Sequence, residues 1–126
     1  MKQAIHPSGA PKPVGPYSPA VAVEGFLFCS GQGPMDPATG QLVEGGIAEQ
    51  TDRTLRNLGA LLEAAGLGFG DVVKTTCFLR DMGDFAAFNE VYAGFFPEPY
   101  PARTTVQAAR LPMDIAVEIE AIAVRR

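Results

Sequence analysis

The chain has 126 residues, of which 47% are hydrophobic and 19% are charged, and its formal net charge is −4. This length suits one domain, residues 1–126, and the composition is that of a folded globular protein rather than a disordered one. The acidic balance and scattered basic residues argue against nucleic-acid binding, which usually needs a basic face. No apolar run has signal-peptide or membrane-spanning length, so we expect a cytoplasmic protein with no membrane partner.

The two cysteines and the one histidine do not match the ligand spacing of a zinc or haem site. Cys29 and Cys77 each lie inside an apolar, strand-like run, so we expect both to be reduced and buried. The sequence also lacks a Walker loop and a dinucleotide fingerprint. It therefore predicts binding or catalysis without a metal or a cofactor.

The chain begins with a short edge-strand candidate, Met1–Ile5, and then a loop. Five prolines and two glycines between Pro7 and Pro19 exclude a helix or a central strand there. Tyr17 gives this loop a side chain that can dock. It serves either as a loop anchor or as one wall of a site.

A tight hairpin is predicted where Ala20–Val23 and Phe26–Ser30 flank the dipeptide Glu24-Gly25. Both faces of the second strand are apolar, which predicts that it is covered on both sides. Gly31 follows this strand and has two interpretations. It either supplies backbone freedom for a turn or lets a ligand approach the main chain closely.

Helical periodicity runs from Ile47 to Ala65, and Gly66 predicts the end of that helix. A strand, this helix and a further strand predict a β-α-β crossover with parallel strands. Asp84 is the predicted N-cap of a second helix, in which aromatic residues at helical spacing indicate core packing. Asn89 is polar among them and either caps a pocket or faces water.

The last part of the chain predicts two strands, Thr104–Ala109 and Ile115–Val124, separated by Leu111-Pro112. The inventory is therefore about six strands and two helices, which predicts an α/β (α+β) domain with a mixed sheet and both helices on one face. The other face still carries apolar residues. We expect another copy of the chain to cover it.

Charged residues in these last strands predict a site. Arg103 opens the first run, and Glu118 and Glu120 lie on the even face of a strand that is otherwise apolar. We interpret Glu118 as sharing a small, partly desolvated pocket with Arg103, and the pocket as a site for a small carboxylic acid. The alternative is a structural ion pair between Arg103 and one of the two glutamates.

Six short motifs, in this order and spacing, resemble the RidA family, also called the YjgF or L-PSP family, over essentially the whole chain. They are Gly15-Pro16-Tyr17-Ser18, Ser30-Gly31-Gln32, Glu63-Ala64-Ala65-Gly66 with Asp71-Val72-Val73-Lys74-Thr75-Thr76 after it, Asn89-x-x-Tyr92, Pro101-Ala102-Arg103, and Glu118-Ile119-Glu120-Ala121-Ile122-Ala123-Val124.

The resemblance implies a chorismate-mutase-like fold and a homotrimer with sites in the clefts between subunits. It also implies an enamine/imine deaminase without a cofactor, which hydrolyses 2-aminoacrylate and related short 2-imino acids to 2-oxo acids and ammonia. Two alternatives remain open: an L-PSP-type endoribonuclease (translation inhibitor), and a non-catalytic protein that binds small metabolites. The acidic balance of the chain counts against the ribonuclease.

The resemblance also implies a role for each site residue. Arg103 would bind the substrate carboxylate, and Glu118 would orient the attacking water. The pocket would be lined by Tyr17, Ser30, Gly31 and Asn89. The family often has a cysteine two residues after the arginine, whereas this chain has Thr105, for which we expect a role through its backbone.

Overall fold

The computed structural model describes residues 1–125 of the chain. Within that range no helix is both long and apolar enough to cross a bilayer. The elements, in chain order, are β1 (Gln3–Ile5), β2 (Ala20–Val23), β3 (Phe26–Gln32), α1 (Ile47–Ala64), β4 (Val72–Leu79), α2 (Phe85–Ala93), β5 (Ala102–Gln107) and β6 (Val117–Val124).

The six strands form one sheet in the order β1-β2-β3-β6-β4-β5. Strand β6 pairs antiparallel with both β3 and β4, so these two strands run in the same direction on either side of it. Strands β4 and β5 are parallel neighbours joined by α2. The predicted mixed sheet, its two helices and the crossover through α1 are therefore confirmed.

Alternate residues of each strand point to opposite faces of the sheet. On β6, the odd-numbered residues from Val117 to Ala123 are buried, and they lie beneath the apolar stripe of α1. We call this side the helix face. The opposite side, the open face, carries Glu118, Glu120 and the remaining even-numbered residues of β6.

The open face is apolar and uncovered in a single chain. Phe26 and Phe28 of β3 remain 45% and 44% exposed, with ring centroids 6.0 Å apart, while Leu27 and Cys29 between and after them are buried on the helix face. Exposed, adjacent apolar side chains of this size usually mark an interface. Coverage by another copy stays a prediction.

The hairpin between β2 and β3 turns at Glu24 and Gly25, as predicted. Both residues have positive φ, 49° and 84°, as a two-residue type I′ turn requires. Gly25 adopts this conformation at no steric cost, whereas Glu24 does so with a small strain.

Helix α2 begins after Asp84, which is its N-cap residue as predicted. The side chain of Asp84 makes no capping hydrogen bond. The carboxylate of Asp81 accepts from the N–H of Gly83 at 2.8 Å, so it caps the short 3₁₀ turn that leads into α2. The predicted position of the cap is therefore confirmed, and the side-chain hydrogen bond lies one turn earlier.

Strands β5 and β6 also begin at other residues than predicted. Strand β5 begins at Ala102, because Ala102 and Arg103 already pair in register with β4. Strand β6 begins at Val117, since the N–H of Ala116 donates to the side chain of Gln50 at 2.8 Å instead of joining the ladder. The first shift places Arg103 inside the sheet.

Asn57 is a polar core residue that periodicity did not identify. It is fully buried on α1, and its Nδ2 donates to the carbonyl oxygens of Gly33 and Met35 at 2.9 and 2.8 Å. Its Oδ1 accepts from Nε of Arg53 at 3.2 Å. The side chain therefore fixes the segment after β3 against the helix.

We expect Asn57→Ala to lower the free energy of unfolding by roughly 2–4 kcal/mol, because it leaves two backbone carbonyls without their donor in a part-buried place. Urea unfolding followed by circular dichroism measures this. The control is Asp52→Ala, which breaks the exposed ion pair with Arg56 and should cost less than about 1 kcal/mol. Equal losses in the two variants would contradict the structural role of Asn57.

Candidate functional site

Arg103 lies on β5 with its side chain on the helix face. Its backbone is in register with Thr75 of β4, a fully buried residue of that face. The guanidinium carbon lies 5.6 Å from the ring centroids of Phe85 and Phe88 and 4.8 Å from that of Tyr92. All three rings belong to α2, so this helix provides an aromatic wall for the cation.

The guanidinium has no carboxylate partner within residues 1–125. In that range the ion pairs join Arg56 to Asp52 and Arg110 to Asp114, all on the exposed surface. The alternative of a structural ion pair between Arg103 and a glutamate is therefore not found in a single chain. The planar N–H donors of Arg103 remain available to an anion from outside it.

Two buried polar atoms lie close to this arginine in the fold. Oδ1 of Asn89 and Oγ1 of Thr105 are buried, and Oδ1 of Asn89 has no hydrogen-bond partner in the described chain, whereas Oγ1 of Thr105 faces the weakly donating thiol of Cys77. Asn89 lies four residues after Phe85 on α2, and Thr105 follows Arg103 by two residues on the same face of β5. An unpartnered buried acceptor is costly, so Oδ1 of Asn89 favours a ligand at this place. We call Arg103, Tyr92, Asn89 and Thr105 the guanidinium cluster.

Glu118 lies on the open face of β6, directly against Gly31 of β3. A Cβ atom at Gly31 would lie 2.8 Å from Cδ of Glu118, closer than real Cβ atoms approach other groups. The φ of Gly31 is not positive. Glycine is therefore required here for space and not for a turn, and the group that approaches the main chain is the Glu118 carboxylate.

The loop with Tyr17 is tied to the same end of β3. Oγ of Ser30 donates to the carbonyl of Ser18 at 2.8 Å, and the N–H of Ser30 donates to the carbonyl of Pro19 at 2.9 Å. Tyr17 itself stays 48% exposed, and its hydroxyl accepts only a long hydrogen bond of 3.4 Å, from the N–H of Val14. We call Glu118, Gly31, Ser30 and Tyr17 the carboxylate cluster.

The electrostatic environment of Glu118 favours its neutral form. Burial raises the pKa of this carboxyl above its ordinary value, and the negative charge of Glu120 on the same face raises the pKa further. A carboxylate with a raised pKa is a better proton acceptor than an exposed one. Glu118 is thus suited to take a proton from a water molecule.

The structure keeps the two clusters apart, and within the carboxylate cluster Tyr17 contacts, of the described residues, only its own loop, at Val14 and Gly15. Arg103, Asn89 and Thr105 belong to the helix-face side of β5 and α2, whereas Glu118 and Gly31 belong to the open face of β6 and β3. Cavities of about 180 Å³ on the open face and about 200 Å³ near the N-terminus are lined by neither Arg103 nor Glu118. Neither of these two cavities joins the guanidinium cluster to Glu118.

The cysteines lie in the core and do not act as nucleophiles at neutral pH. Both are free and buried, as predicted. Burial raises the pKa of Cys29 to about 12 and that of Cys77 to about 11, so both thiols stay protonated. Cys77 is the register partner of Thr105, which places a buried thiol next to the guanidinium cluster.

Tyr92 was predicted to be a core residue, and its contact with Arg103 was not predicted. Tyr92 is 6% exposed, and its hydroxyl forms a hydrogen bond of 2.7 Å with Oγ1 of Thr75. The available signal was the choice of tyrosine instead of phenylalanine at a core position, since a buried phenol needs a polar partner.

Comparison with known proteins identifies the family. The family model described as Endoribonuclease L-PSP matches residues 7–125. A RutC family protein of Pyrococcus horikoshii is 54% identical over 98% of each chain, and the 2-iminobutanoate/2-iminopropanoate deaminase of Mus musculus is 48% identical over 99% of this chain and 93% of its own. The crystal structure of E. coli TdcF with bound serine has a TM-score of 0.94 at 45% identity and covers 98% of this chain and 99% of that chain. The chain therefore belongs to the L-PSP family, also called the YjgF or RidA family.

Proposed function

We propose that this protein is an imine deaminase that hydrolyses short 2-imino acids, including the imine formed from 2-aminoacrylate, to 2-oxo acids and ammonia. The observation that carries the proposal is the Arg103 guanidinium, which lies against three aromatic rings and has no counterion in the described chain. Such a group suits a small carboxylate. The mouse relative named 2-iminobutanoate/2-iminopropanoate deaminase supports the same substrate class.

Arg103 binds the substrate carboxylate in this proposal. A guanidinium presents parallel N–H donors that match the two oxygens of a carboxylate, so a bidentate contact also fixes the orientation of the adjoining C=N bond. The aromatic wall of α2 limits access of water to one side of the cation. The E. coli relative was crystallised with serine, another small molecule with a carboxylate, which agrees with this assignment.

Glu118 accepts a proton from the attacking water molecule in this proposal. A protonated imine is already electrophilic at carbon, so the reaction needs a positioned water molecule and an acceptor for one proton. The water oxygen bonds to the imine carbon while its proton passes to Glu118. Glu118 then returns this proton to the nitrogen of the carbinolamine, the C–N bond breaks as the C=O bond forms, and the departing ammonia takes the hydroxyl proton and leaves as ammonium. The raised pKa of Glu118 suits both transfers.

The complete site forms between copies of the chain in this proposal. The two clusters lie on opposite faces of the sheet, so one chain supplies Arg103 to a cleft and its neighbour supplies Glu118. The apolar open face with Phe26 and Phe28 provides the surface on which the neighbour packs. A closed ring of three copies, a homotrimer, gives every chain both roles and creates three equal sites.

A second candidate is a protein that binds small metabolites without catalysis, which the serine-bound relative also supports. Endoribonuclease activity is the third, because the matching family model carries that description. Pyruvate formation from freshly generated 2-aminoacrylate, compared with the spontaneous rate, separates catalysis from binding. Cleavage of RNA that disappears in Arg103→Ala would favour the nuclease.

We expect Arg103→Ala to reduce imine hydrolysis by several hundredfold, since losing a desolvated charge contact costs roughly 3–5 kcal/mol. The matched control is Arg56→Ala. Arg56 also lies over an aromatic ring, that of Phe95 at 5.8 Å, but outside the guanidinium cluster. Both variants should fold, as circular dichroism can verify. A native rate in folded Arg103→Ala would refute the role assigned to the arginine.

Gly31→Ala should displace the Glu118 carboxylate and leave the fold intact, because the atoms that collide with the new Cβ belong to the end of a flexible side chain. The expected loss in kcat/KM is about 10–100-fold, with a stability change below about 1 kcal/mol. The pKa of Glu118, followed by carboxyl NMR, should fall as the group moves towards water. Gly9→Ala is the control, since no heavy atom lies within 4 Å of its Cβ position.

Mixing Arg103→Ala with Glu118→Gln tests the composite site. If each site takes its arginine and its glutamate from different copies, random co-assembly of equal amounts restores about a quarter of the native sites. The control is the same mixture without subunit exchange, which should stay inactive. No recovery after verified exchange would show that both groups act from one chain.

A further inference from the structure

The Arg103 guanidinium is part of a closed loop of contacts with two residues outside the proposed chemistry. Thr75 is in register with Arg103 in the parallel β4–β5 pair. Its hydroxyl forms a hydrogen bond of 2.7 Å with the hydroxyl of Tyr92. The ring of Tyr92 in turn lies under the guanidinium, with its centroid 4.8 Å from the guanidinium carbon. The backbone partner of Arg103 thereby holds the ring on which its side chain rests.

The ring of Tyr92 has little freedom to tilt. It stacks on Phe96 with centroids 4.5 Å apart and an interplanar angle of 30°, and it contacts Phe88 at 5.5 Å. Tyr92 is 6% exposed and Thr75 is fully buried, so water does not compete for their hydrogen bond. Burial also raises the pKa of Tyr92, which keeps the phenol neutral and able to donate.

We infer that Tyr92, anchored by Thr75, is a positioning residue that fixes the guanidinium plane of Arg103 for the carboxylate of the substrate. A cation attracted to the ring face keeps its N–H edges free for a ligand. Arg103 makes no ion pair in the described chain, so the aromatic wall is what orients it. This inference rests on the proposed function, in which Arg103 binds a 2-imino or 2-oxo acid.

Tyr92 would act through binding and not through bond making. The substrate carboxylate stays on Arg103 in the ground state and in the transition state, so a poorly oriented guanidinium weakens both states alike. Loss of such uniform binding raises KM and leaves kcat nearly unchanged. A role in core stability alone would change neither the KM nor the affinity for a 2-oxo acid in the folded variant.

The test uses the whole protein, with 2-oxobutyrate and pyruvate as the probes, in Tyr92→Leu, Tyr92→Phe and Thr75→Val. Tyr92→Leu removes the ring face and should weaken 2-oxobutyrate binding about 10-fold, with a similar rise in KM and kcat within about twofold. Tyr92→Phe leaves the Thr75 hydroxyl without the Tyr92 hydroxyl, and Thr75→Val leaves the Tyr92 hydroxyl without the Thr75 hydroxyl. Each single variant should weaken 2-oxobutyrate binding about 3-fold. Calorimetry and initial rates give these values.

The double variant Thr75→Val with Tyr92→Phe is the sharper comparison. It removes both partners of the hydrogen bond while it keeps their shapes, so neither hydroxyl is left buried without the other. The weak contact of 3.9 Å from the Cys77 thiol to Oγ1 of Thr75 is lost in Thr75→Val and in the double variant alike. We expect its affinity for 2-oxobutyrate to be no worse than that of either single variant, a non-additive result that follows from direct contact of the two residues.

Phe95→Leu is the matched control. Phe95 also lies beneath an arginine, Arg56, and packs against Phe69 in the same aromatic group, but it does not contact Arg103. Its replacement should leave both KM and the affinity for 2-oxobutyrate unchanged. NMR of the Arg103 side chain supplies a readout without substrate. The ring-current shifts of its Cδ protons should become smaller in Tyr92→Leu, where only the rings of Phe85 and Phe88 remain, and should be unchanged in Phe95→Leu.

Unchanged Arg103 resonances in Tyr92→Leu would overturn the inference. An unchanged affinity for 2-oxobutyrate in that folded variant would overturn it as well, because the ring would then not position the guanidinium for a ligand. A native protein that neither binds 2-oxo acids nor hydrolyses imines would instead overturn the proposed function. The Arg103 resonances distinguish this case, since they report the restraint by Tyr92 even when no ligand binds.

Discussion

Arg103 lies on aromatic rings and has no counterion among the described residues, and this arrangement determines what the rest of the structure can do. Removing a guanidinium from water is costly, and the contact with the rings of Phe85, Phe88 and Tyr92 offsets only part of that cost. The part of this free-energy cost that the rings do not offset makes the binding of an anion to the guanidinium favourable. An internal carboxylate would satisfy this preference and close the site, so the absence of one among residues 1–125 is what leaves Arg103 available to a ligand.

The register of the sheet keeps the charged groups apart. In the parallel pair, Arg103 aligns with Thr75 on the helix face, and in the antiparallel pair, Glu118 aligns with Phe78 on the open face. A one-residue shift of β5 would move Arg103 to the face of Glu118, because side chains alternate along a strand. The two could then neutralise each other within one chain. The observed register prevents this and keeps the guanidinium and the carboxylate on opposite faces of the sheet.

The sequence was sufficient to predict the elements of the fold, because their signals are local. The periodicity of Ile47–Ala65 predicted α1, and the alternation from Ile115 to Val124 predicted the buried face of β6. The pairing of β5 with β4 is a contact between distant segments, and no local pattern shows which way Arg103 points. Asn57 was missed for the same reason, since its partners are carbonyls at Gly33 and Met35, more than twenty residues away.

The site residues were predicted as one group from family resemblance, and the structure divides them in two. Resemblance to a family identifies a set of residues in the sequence. It does not show on which face of the sheet each of them lies. Gly31 illustrates what geometry adds. The sequence left open whether this glycine serves a turn or lets a ligand approach the main chain, and the structure shows a third use, in which the Glu118 carboxylate of the same chain lies against it.

Thr105 shows how the chain can keep the same chemistry without the cysteine that the family often has at this position. Its register partner Cys77 is a thiol, but burial raises the pKa of Cys77 to about 11 and leaves it protonated. A neutral thiol and a threonine hydroxyl are both small groups that can make a hydrogen bond, and neither is an activated nucleophile without a base. The threonine is therefore compatible with the proposed reaction, in which the arginine orients the substrate and a carboxylate activates water, whereas a mechanism with a thiol nucleophile at this position would not tolerate the exchange.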